Sequence, residues 1–516
     1  MPPLPAPVVD AMLWRDCRRV KQRLRIGILV DDWRVPDWMF QAIHLLSSEP
    51  ALDLTALLKH REAVPAPLKR SPLFKLLHGA SRKVADPENP LHDLSQELSS
   101  TPRLDLSEIP NLDILIRFDT ALLRGSSKSL ARMGVWSVGL GDSPEVPYWA
   151  EVRDQKPVSL LTLRHHPEAL ETARGFYIYA APTVQGWFFT RNSVEPLGLA
   201  GVLLVDRLLD VAVNGYDSVV CRGDSEIRPA YDHTNLACLG MVARQTLRSV
   251  RGRVRDRGRS LRWVTAIRGA NAFREVPAPA GHGYADPFLI ESNGRDYLLL
   301  EDVPRGGLGR LAAMEISPGG DVGAPEIIME RPYHVSYPFV FRHGADVFLI
   351  PESAENKTVQ LYRAGARAPF EWHFEKNLFE GPMLVDTTVF HHEGRWYFFT
   401  TQVDCGMRGY LFHAATLDGA WEYHPRNPIC SDVSRCRGAG ALFYRDGRLI
   451  RPAQDCSVRY GYAIVLNEVR KLSPTEYEEH TIERLEPSWW GSGNLGTHTL
   501  NANGRWEVTD GLRIML

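Results

Sequence analysis

The chain has 516 residues, of which 44% are hydrophobic and 24% are charged, and its formal net charge is −2. A chain of this length exceeds what one hydrophobic core supports, so two or three domains are expected. The nearly neutral charge argues against a nucleic-acid-binding or membrane-surface protein. No stretch approaches the roughly 18 consecutive apolar residues of a membrane-spanning helix, so no transmembrane segment is predicted.

The N-terminus and the cysteines indicate the compartment. Residues 1–30 contain no uninterrupted apolar run after a basic start, which argues against a secretory signal. The seven cysteines are scattered and form no C-x-x-C pair, a pattern typical of reduced thiols and of neither a disulfide framework nor a zinc site. We therefore expect a cytoplasmic protein.

Residues 23–245 alternate between apolar strands and helical segments, after an N-terminal tail (1–22). Strands are predicted at 25–32, 52–58 and 112–119, with a helix after the first strand and, in 122–142, a helix leading into a further strand. Residues 59–90 are polar and contain prolines, which predicts an inserted loop with a short helix. This alternation is typical of a largely parallel, doubly wound α/β sheet.

An arginine-rich segment follows, with seven arginines between residues 246 and 263. It has two interpretations. The arginines bind phosphate or an anionic polymer, or they form a solvated helix end or an interdomain linker. The change of pattern after it favours a domain boundary, and we predict a linker over residues 246–262.

A repeat fills the rest of the chain, residues 263–516. Hairpin turns such as SNGRDYLLL and HEGRWYFFT recur after apolar strands at intervals of 50, 50, 53 and 57 residues. The glycines of these turns are Gly294, Gly344, Gly394, Gly447 and Gly504. A period near 50 residues with hairpins is the signature of propeller blades, so the sequence predicts an all-β, five-bladed β-propeller.

Polar residues recur at fixed distances from these glycines. In a propeller blade, the first strand of the hairpin starts at the central funnel and the second strand returns to it, so such residues form rings around the axis. Eight residues before the glycines stand Asp286, Ser336, Asp386, Ala439 and Gly496. Eight residues after them stand Asp302, Glu352, Gln402, Asp455 and Leu512. Close to these in register are His334, Arg437, Gln454 and His498.

Charged groups that converge on a funnel are costly unless they are paired, ligated or used in chemistry. Carboxylates at these positions suit glycosyl chemistry, in which one carboxyl group protonates the leaving oxygen and another activates water or attacks. We predict Asp286 as base or nucleophile and Asp386 or Glu352 as acid. The predicted substrate-binding residues are His334, Arg437, Gln454, Asp455, His498, Trp489 and Trp490.

Other interpretations of these residues stay open. Propellers also use Asp and His in hydrogen bonds that lock the blades together, and this explanation applies to Asp302, Asp455 and His498. The Trp489–Trp490 pair could stack on a sugar ring or simply pack at a blade edge. Asp and His at the axis could ligate calcium, but no spacing specifies an ion, so neither a metal nor a cofactor is predicted.

The repeat region resembles the five-bladed propellers of family 43 glycoside hydrolases, through stretches such as YADPFLI, SYPFVFRHGADVFLIPES and RGAGALFYRDGRLIRPAQDC. It is more similar to the N-terminal domain of plant glucosamine inositolphosphorylceramide transferases. Family 43 enzymes use an Asp of the first blade as general base, and the resemblance implies that Asp286 matches this residue. It also implies that Ser336 replaces the Asp that tunes the pKa of the acid, and that Asp386 replaces the acidic Glu.

Residues 23–245 resemble the formyltransferase fold, from RIGILVDDWRVPDW through LDILIRFD to LARMGVWSVGLGD. Ser137 and Gly139 stand where that family has its catalytic Asn and His, so no general base for formyl transfer is evident. The resemblance implies a Rossmann-like domain that could bind a sugar nucleotide or another anion at its strand ends. However, VDDWRVPDW lacks the glycine-rich phosphate loop.

Three functions follow from this pattern. The first is glycosyl hydrolysis or transfer in the propeller funnel, in surface polysaccharide or glycolipid metabolism, with a carbohydrate or nucleotide sugar as substrate. The second is a catalytically silent sugar-binding scaffold that serves a partner glycosyltransferase. The third is formyl transfer to an amino sugar. No nucleic-acid partner is predicted.

Overall fold

The computed structural model describes residues 20–59, 70–85, 90–118, 126–141, 146–168, 173–220, 234–256 and 260–515. Most of the predicted tail, residues 1–22, lies outside the described residues. The chain divides into two compact units, Met1–Arg255 and Asp256–Leu516. The segment 246–262 is helical up to Asp256, and a strand of the second unit begins at Ser260.

The first unit is a mixed α/β structure. Its strands are β1 (Leu24–Val30), β2 (Arg34–Pro36), β3 (Leu52–Lys59), β4 (Leu91–Asp93), β5 (Arg103–Asp105), β6 (Ile114–Arg117), β7 (Val135–Leu140), β8 (Val158–His166) and β9 (Arg174–Pro182). Its α-helices are Asp37–Ser48, Pro72–Ala85, Leu94–Glu97, Trp149–Arg153, Val194–Asn214, Tyr216–Val220 and Asn235–Asp256. Short 3₁₀ helices cover Leu106–Glu108, Ser127–Ser129 and Phe189–Ser193.

Seven of these strands form one sheet in the order β5-β3-β1-β6-β7-β8-β9. The strands from β5 to β7 are parallel, and β8 and β9 add an antiparallel edge. The parallel strands are apolar because both faces are covered, and Leu29, Leu58 and Leu115 are buried together in the core. The predicted parallel α/β sheet is confirmed, whereas the finer formyltransferase-like fold stays a prediction.

The helix predicted before β7 is wrong for the described part of that segment. Only the 3₁₀ turn Ser127–Ser129 forms there. The hydroxyl of Ser129 donates to the carbonyl of Ser126 at 2.7 Å, and such local bonds compete with helix formation. The backbone N–H of Arg132 donates to the carbonyl of Leu112, which holds the segment beside β6.

The second unit is a five-bladed propeller. The chain enters it through β10 (Ser260–Arg268) and β11 (Arg274–Glu275). Blade 1 contains β12 (His282–Ser292), β13 (Arg295–Pro304), β14 (Arg310–Ile316) and β15 (Glu326–Met329). Blade 2 contains β16 (Ser336–His343), β17 (Asp346–Ser353), β18 (Thr358–Ala364) and β19 (Trp372–Glu380), with a 3₁₀ turn at Ala354–Asn356.

Blades 3 to 5 follow the same plan. Blade 3 contains β20 (Leu384–His392), β21 (Arg395–Gln402), β22 (Arg408–Ala414) and β23 (Glu422–Tyr423). Blade 4 contains β24 (Arg437–Gly438), β25 (Phe443–Arg445), β26 (Arg448–Asp455), β27 (Ala463–Leu472) and β28 (Tyr477–Leu485). Blade 5 joins β29 (Leu500–Ala502) and β30 (Glu507–Met515) to β10 and β11.

Blade 5 closes the ring with strands from both ends of the unit. β10 pairs antiparallel with β30 along its whole length, from Ser260 opposite Met515 to Arg268 opposite Glu507. The last pair is also an ion pair, with Arg268 Nη2 at 2.8 Å from Glu507 Oε2. This shared sheet ties the two ends of the unit together, and each blade of a propeller keeps only short, protected edges.

The first strands of blades 1, 2 and 3 share a β-bulge. The pairing register shifts after Ala285, after Ser336 and after Val385. The next residue in each case has a positive φ: Asp286 at 49°, Tyr337 at 43° and Asp386 at 48°. Positive φ is uncommon outside glycine, so this recurrence marks one structural position repeated around the ring.

The bulge corrects one residue of the predicted rings. In blade 1 the turn is Asn293–Gly294, so its glycine is the second turn residue, whereas in blade 2 Gly344 is the first, because His343 pairs with Asp346. Counting back eight residues from the glycine therefore gives a position that is one residue too early in blade 2. The counterpart of Asp286 and Asp386 is Tyr337, not Ser336.

Two further sequence expectations concern thiols and membranes. The five cysteines that the structure describes, Cys238, Cys405, Cys430, Cys436 and Cys456, are buried and form no disulfide. Within the described ranges, none of the helices has both the length and the apolar character needed to cross a bilayer.

Candidate functional site

The bulges place Asp286 and Asp386 at the candidate site. A bulge redirects the side chain of its first residue, and both carboxyl groups are almost closed to solvent, with side chains 6% and 2% exposed. Each lies in a separate polar cluster. The two clusters are electrostatically coupled, because each carboxylate raises the cost of ionising the other.

The Asp386 cluster contains an arginine, an amide and a second carboxylate. Asp386 Oδ2 accepts hydrogen bonds from Arg437 Nε at 2.5 Å and from Gln454 Nε2 at 3.0 Å. Glu352 Oε2 accepts from the backbone N–H of Asp386 at 3.3 Å and lies 3.7 Å from Arg437 Nη2. The structure thus brings together four predicted site residues from three blades.

This cluster holds a proton near neutral pH. Burial raises the pKa of Asp386 to about 7, Arg437 opposes this rise, and the neighbouring Glu352 adds to it. Two carboxyl groups that share one arginine cannot both ionise cheaply in a buried site. The Asp386–Glu352 pair can therefore donate a proton at neutral pH.

The Asp286 cluster is built around a buried histidine. Asp286 Oδ1 accepts from the hydroxyl of Thr499 at 2.7 Å and lies 3.8 Å from His498 Nε2. His498 Nδ1 lies 2.5 Å from Asp510 Oδ2, which also accepts from the backbone N–H of Asp286 at 3.2 Å. Burial raises the pKa of Asp286, and the His498 charge opposes that rise.

His498 makes the stability of the propeller depend on pH. Burial disfavours its charge, but Asp510 and then Asp286 outweigh burial and raise its pKa from 6.5 to about 9. Because the folded pKa is the higher one, the stabilisation is complete below pH 6.5 and is lost as the pH rises through 9. This shift corresponds to a contribution on the order of 3 kcal/mol.

We therefore expect the free energy of unfolding, measured by urea titration, to fall between pH 6.5 and 9. An Asp510→Asn variant removes the largest favourable charge on His498 and should show a shallower fall. A profile that is flat across this range in the wild-type protein would contradict the ion pair.

Sequence reasoning missed Glu301, which pairs with His334. His334 Nε2 lies 2.8 Å from Glu301 Oε1, while the backbone N–H of Gly309 donates to His334 Nδ1 at 3.1 Å. Burial raises the pKa of Glu301, and the bond from His334 opposes it. Glu301 pairs with Ala285 in blade 1 as Glu352 pairs with Ser336 in blade 2. Once the one-residue shift of the turn in blade 2 is taken into account, the two glutamates occupy equivalent positions.

Asp302 and Asp455 lie in separate ion pairs. Asp302 contacts His282 Nδ1 at 2.7 Å and Arg310 Nε at 3.0 Å. Asp455 lies 3.0 Å from Arg484 Nη2. Asp302, on β13, contacts residues of the adjacent strands β12 and β14, whereas Asp455, on β26, reaches Arg484 on β28, two strands away in the same blade. Both carboxylates are thus held within their own blades, and these contacts do not join one blade to the next. The structure does not bring Asp455 into the funnel clusters.

The predicted tryptophan pair packs against blade 5. The indole N–H of Trp490 donates to the backbone carbonyl of Asp510 at 2.8 Å, and that of Trp489 points to the hydroxyl of Thr497 at 3.4 Å. Phe273 covers both rings, at centroid distances of 5.2 and 6.0 Å. These contacts support the packing interpretation.

Two other aromatic residues lie at the site. Trp263 stacks on the His498 ring at 3.9 Å, and Tyr460 meets the same ring edge-on at 5.5 Å. The guanidinium of Arg437 lies 4.8 Å from the Tyr460 ring, and Tyr460 is 46% exposed. Neither belongs to the repeat, since Trp263 lies on β10 and Tyr460 in the loop after β26.

Asp286, His498 and Asp510 could hold a metal ion, because one ligand atom from each lies within 4.8 Å of the others. Carboxylate and imidazole ligands suit several divalent cations. The ion would have to displace the proton of His498. In the structure the three residues instead satisfy one another as an ion-paired triad.

The first unit contains an imidazole that sequence reasoning missed. His166 Nε2 lies 2.9 Å from the hydroxyl of Ser137, because β8 pairs antiparallel with β7 and places His166 beside Val135. The side chain of Arg164 covers Gly139, where an added Cβ would lie 2.3 Å from the guanidinium carbon. Ser137 therefore has an imidazole beside it, which comes from β8 and not from the position of Gly139.

Comparison with known proteins relates the propeller to a family. Residues 278–490, which hold blades 1 to 4, match the family model described as glucosamine inositolphosphorylceramide transferase 1, N-terminal. A structural comparison matches the GH43 BlXynB protein from Bacillus licheniformis at 15% identity and a TM-score of 0.32, covering 41% of this chain and 48% of that one.

Curated relatives of the matched region carry the name glucosamine inositolphosphorylceramide transferase 1. The protein of Oryza sativa subsp. japonica is 31% identical over 249 residues, which cover 45% of this chain and 32% of the relative. That of Arabidopsis thaliana is 34% identical over 206 residues, which cover 38% of this chain and 26% of the relative. The chain thus matches a third or less of the length of these relatives. The propeller region is similar to the N-terminal domain of these transferases.

Proposed function

We propose that the propeller funnel binds a carbohydrate or nucleotide sugar and catalyses hydrolysis or transfer of a glycosyl unit. The supporting observation is that the propeller contains two buried carboxyl clusters with different electrostatic surroundings. Burial and Glu352 raise the pKa of Asp386 to about 7, while Asp286 lies beside the His498 cation. Glycosyl chemistry needs one carboxyl group as acid and another as base or nucleophile.

The exposure of the side chains supports an assignment of roles. Glu352 is 13% exposed, against 2% for Asp386, so we assign Glu352 as the group that passes the proton to the leaving oxygen. Asp386, held by Arg437 and Gln454, supports the proton on the pair. Asp286 is assigned as the base that takes a proton from water or an acceptor hydroxyl.

We assign substrate binding to the partly exposed residues around the clusters and to Arg437, which is 12% exposed and paired with Asp386 and Glu352. The partly exposed ring of Tyr460 offers a face on which a sugar can stack. Arg437 presents a charge suited to an anionic group, such as the phosphate of a nucleotide sugar. His334, also partly exposed, can bond a sugar hydroxyl.

The setting of this reaction is part of the same proposal. The relatives that match the propeller are named glucosamine inositolphosphorylceramide transferase 1, and this name supports a carbohydrate-active role for the propeller. We propose a role in glycolipid or surface polysaccharide metabolism, in the cytoplasm.

A second candidate is a silent sugar-binding scaffold for a partner glycosyltransferase. The near-complete burial of Asp286 and Asp386, at 6% and 2% exposed, favours it, because a substrate oxygen must reach a catalytic carboxyl group. A third candidate, formyl transfer to an amino sugar, gains support from His166 beside Ser137. Incubation with formyl-tetrahydrofolate and amino sugars tests it.

A screen of the full chain separates the first two candidates. Nucleotide sugars, including those of glucosamine, and aryl furanosides are tested for binding by calorimetry and for product release by chromatography. The proposal predicts both binding and turnover. Binding without turnover would favour the scaffold, and failure of every compound to bind would contradict a carbohydrate site.

A further inference from the structure

The helix Asn235–Asp256, at the end of the first unit, has three distinct faces. One face is buried: Cys238, Met241 and Gln245 follow each other at helical spacing and are almost fully covered. Cys238 and Met241 pack in one core cluster with Phe74 and Trp149. This face explains why the helix folds onto the unit, and it leaves the other two faces for solvent or a partner.

The second face is apolar and exposed. Leu236, Leu239, Leu247 and Val250 lie on one side of the helix, each between 50% and 80% exposed, with Ala243 between them at the same helical spacing. Leu76, on the helix Pro72–Ala85, is also 70% exposed. A continuous apolar strip of this length marks an interaction surface.

The third face is basic and borders the apolar strip. Arg244 and Arg248 are exposed and lie one turn apart on it. Arg244 donates to the backbone carbonyl of Arg153. The hydrogen bond from Arg153 and the charges of Arg153, Lys156 and Arg244 lower the pKa of Asp154, so a single carboxylate lies beside several cations here. The helix sequence NLACLGMVARQTLRSVRGRVRD contains five arginines, and its single acidic residue, Asp256, is the last.

We propose that this helix binds the surface of a membrane that contains anionic lipids. An exposed apolar strip with arginines along its border is the pattern of helices that lie in the membrane interface, where the apolar residues enter the acyl boundary and the arginines meet lipid phosphates. This binding does not depend on the function proposed for the propeller.

Other occupants fit this surface less well. A second copy of the helix would bury the leucines but would bring two arginine-rich borders together, and like charges at an interface are costly. A nucleic acid would pair with the arginines but would leave the leucines exposed to water. An anionic lipid surface satisfies both faces at once.

Co-sedimentation of the full chain with lipid vesicles tests the proposal. We expect binding to vesicles of phosphatidylcholine mixed with phosphatidylglycerol, little binding to phosphatidylcholine alone, and weaker binding as salt rises. An Arg244→Gln/Arg248→Gln variant should lose about 30-fold in affinity for the anionic vesicles. A Leu239→Ser/Leu247→Ser variant should lose at least as much, since both leucines would enter the acyl boundary.

Exposed residues of the propeller supply matched controls. Phe374→Ser and Arg305→Gln alter an exposed aromatic and an exposed arginine and should leave vesicle binding unchanged. Equal binding to both kinds of vesicle, or no binding to either, would overturn the proposal. So would a dimer in light scattering that the leucine variant dissociates, because a second copy would then occupy the strip.

Discussion

Replacing Asp286 with Asn should lower glycosyl turnover by about 10²–10⁴-fold while the propeller stays folded. The amide keeps an oxygen that can accept the hydrogen bond now made by Thr499, but it cannot take a proton from water or from an acceptor hydroxyl. Turnover is measured with the substrate that the screen identifies, and the fold is checked by circular dichroism and urea unfolding.

Asp302→Asn is the matched control for this variant. Asp302 is equally buried and stands in the same blade, but it is bound to His282 and Arg310. Its replacement should reduce stability and leave turnover close to that of the wild-type protein. An Asp286→Asn protein with full activity would remove Asp286 from the mechanism, whereas an inactive Asp302→Asn protein would show that turnover responds to any loss of charge in blade 1.

Replacing Arg437 with Met should cost stability and activity together. The change leaves Asp386 and Glu352 buried side by side without a cation, and loss of one partner of a buried ion pair costs about 3–5 kcal/mol. It also removes the charge that holds down the pKa of Asp386, so the pair should keep its proton to higher pH and the pH optimum of turnover should move upward.

Arg451→Met separates these two effects. Arg451 forms a buried bidentate pair with Glu479, at 2.7 and 2.8 Å, and has no role in the proposed mechanism. The two variants should lose similar free energies of unfolding, but only Arg437→Met should change the pH profile of turnover. If both variants kept the wild-type pH optimum, Arg437 would have only a structural role.

The repeat in the sequence predicted the propeller because each hairpin needs a residue with positive φ at its turn. Glycines supplied that signal at a regular interval. The same signal misled in blade 2, where Gly344 occupies the first turn position instead of the second. One residue of slip exchanged Tyr337 for Ser336 and hid the equivalence of Glu301 and Glu352.

Residues outside the repeat could not be predicted to join the site. Trp263 reaches His498 because β10 completes blade 5 from the far end of the unit, a pairing of sequence-distant strands that no local pattern encodes. His166 meets Ser137 only through the antiparallel register of β7 and β8. The net charge of −2 likewise concealed the arginine-bordered strip of the helix Asn235–Asp256.

A crystal structure of the protein soaked with the tightest-binding sugar or nucleotide sugar from the screen tests the central claim most directly. The proposed function predicts the sugar ring against Tyr460, with its polar groups bonded to Arg437 and Glu352 and its reacting carbon facing Asp286. A sugar bound elsewhere on the protein, with the funnel empty, would contradict it.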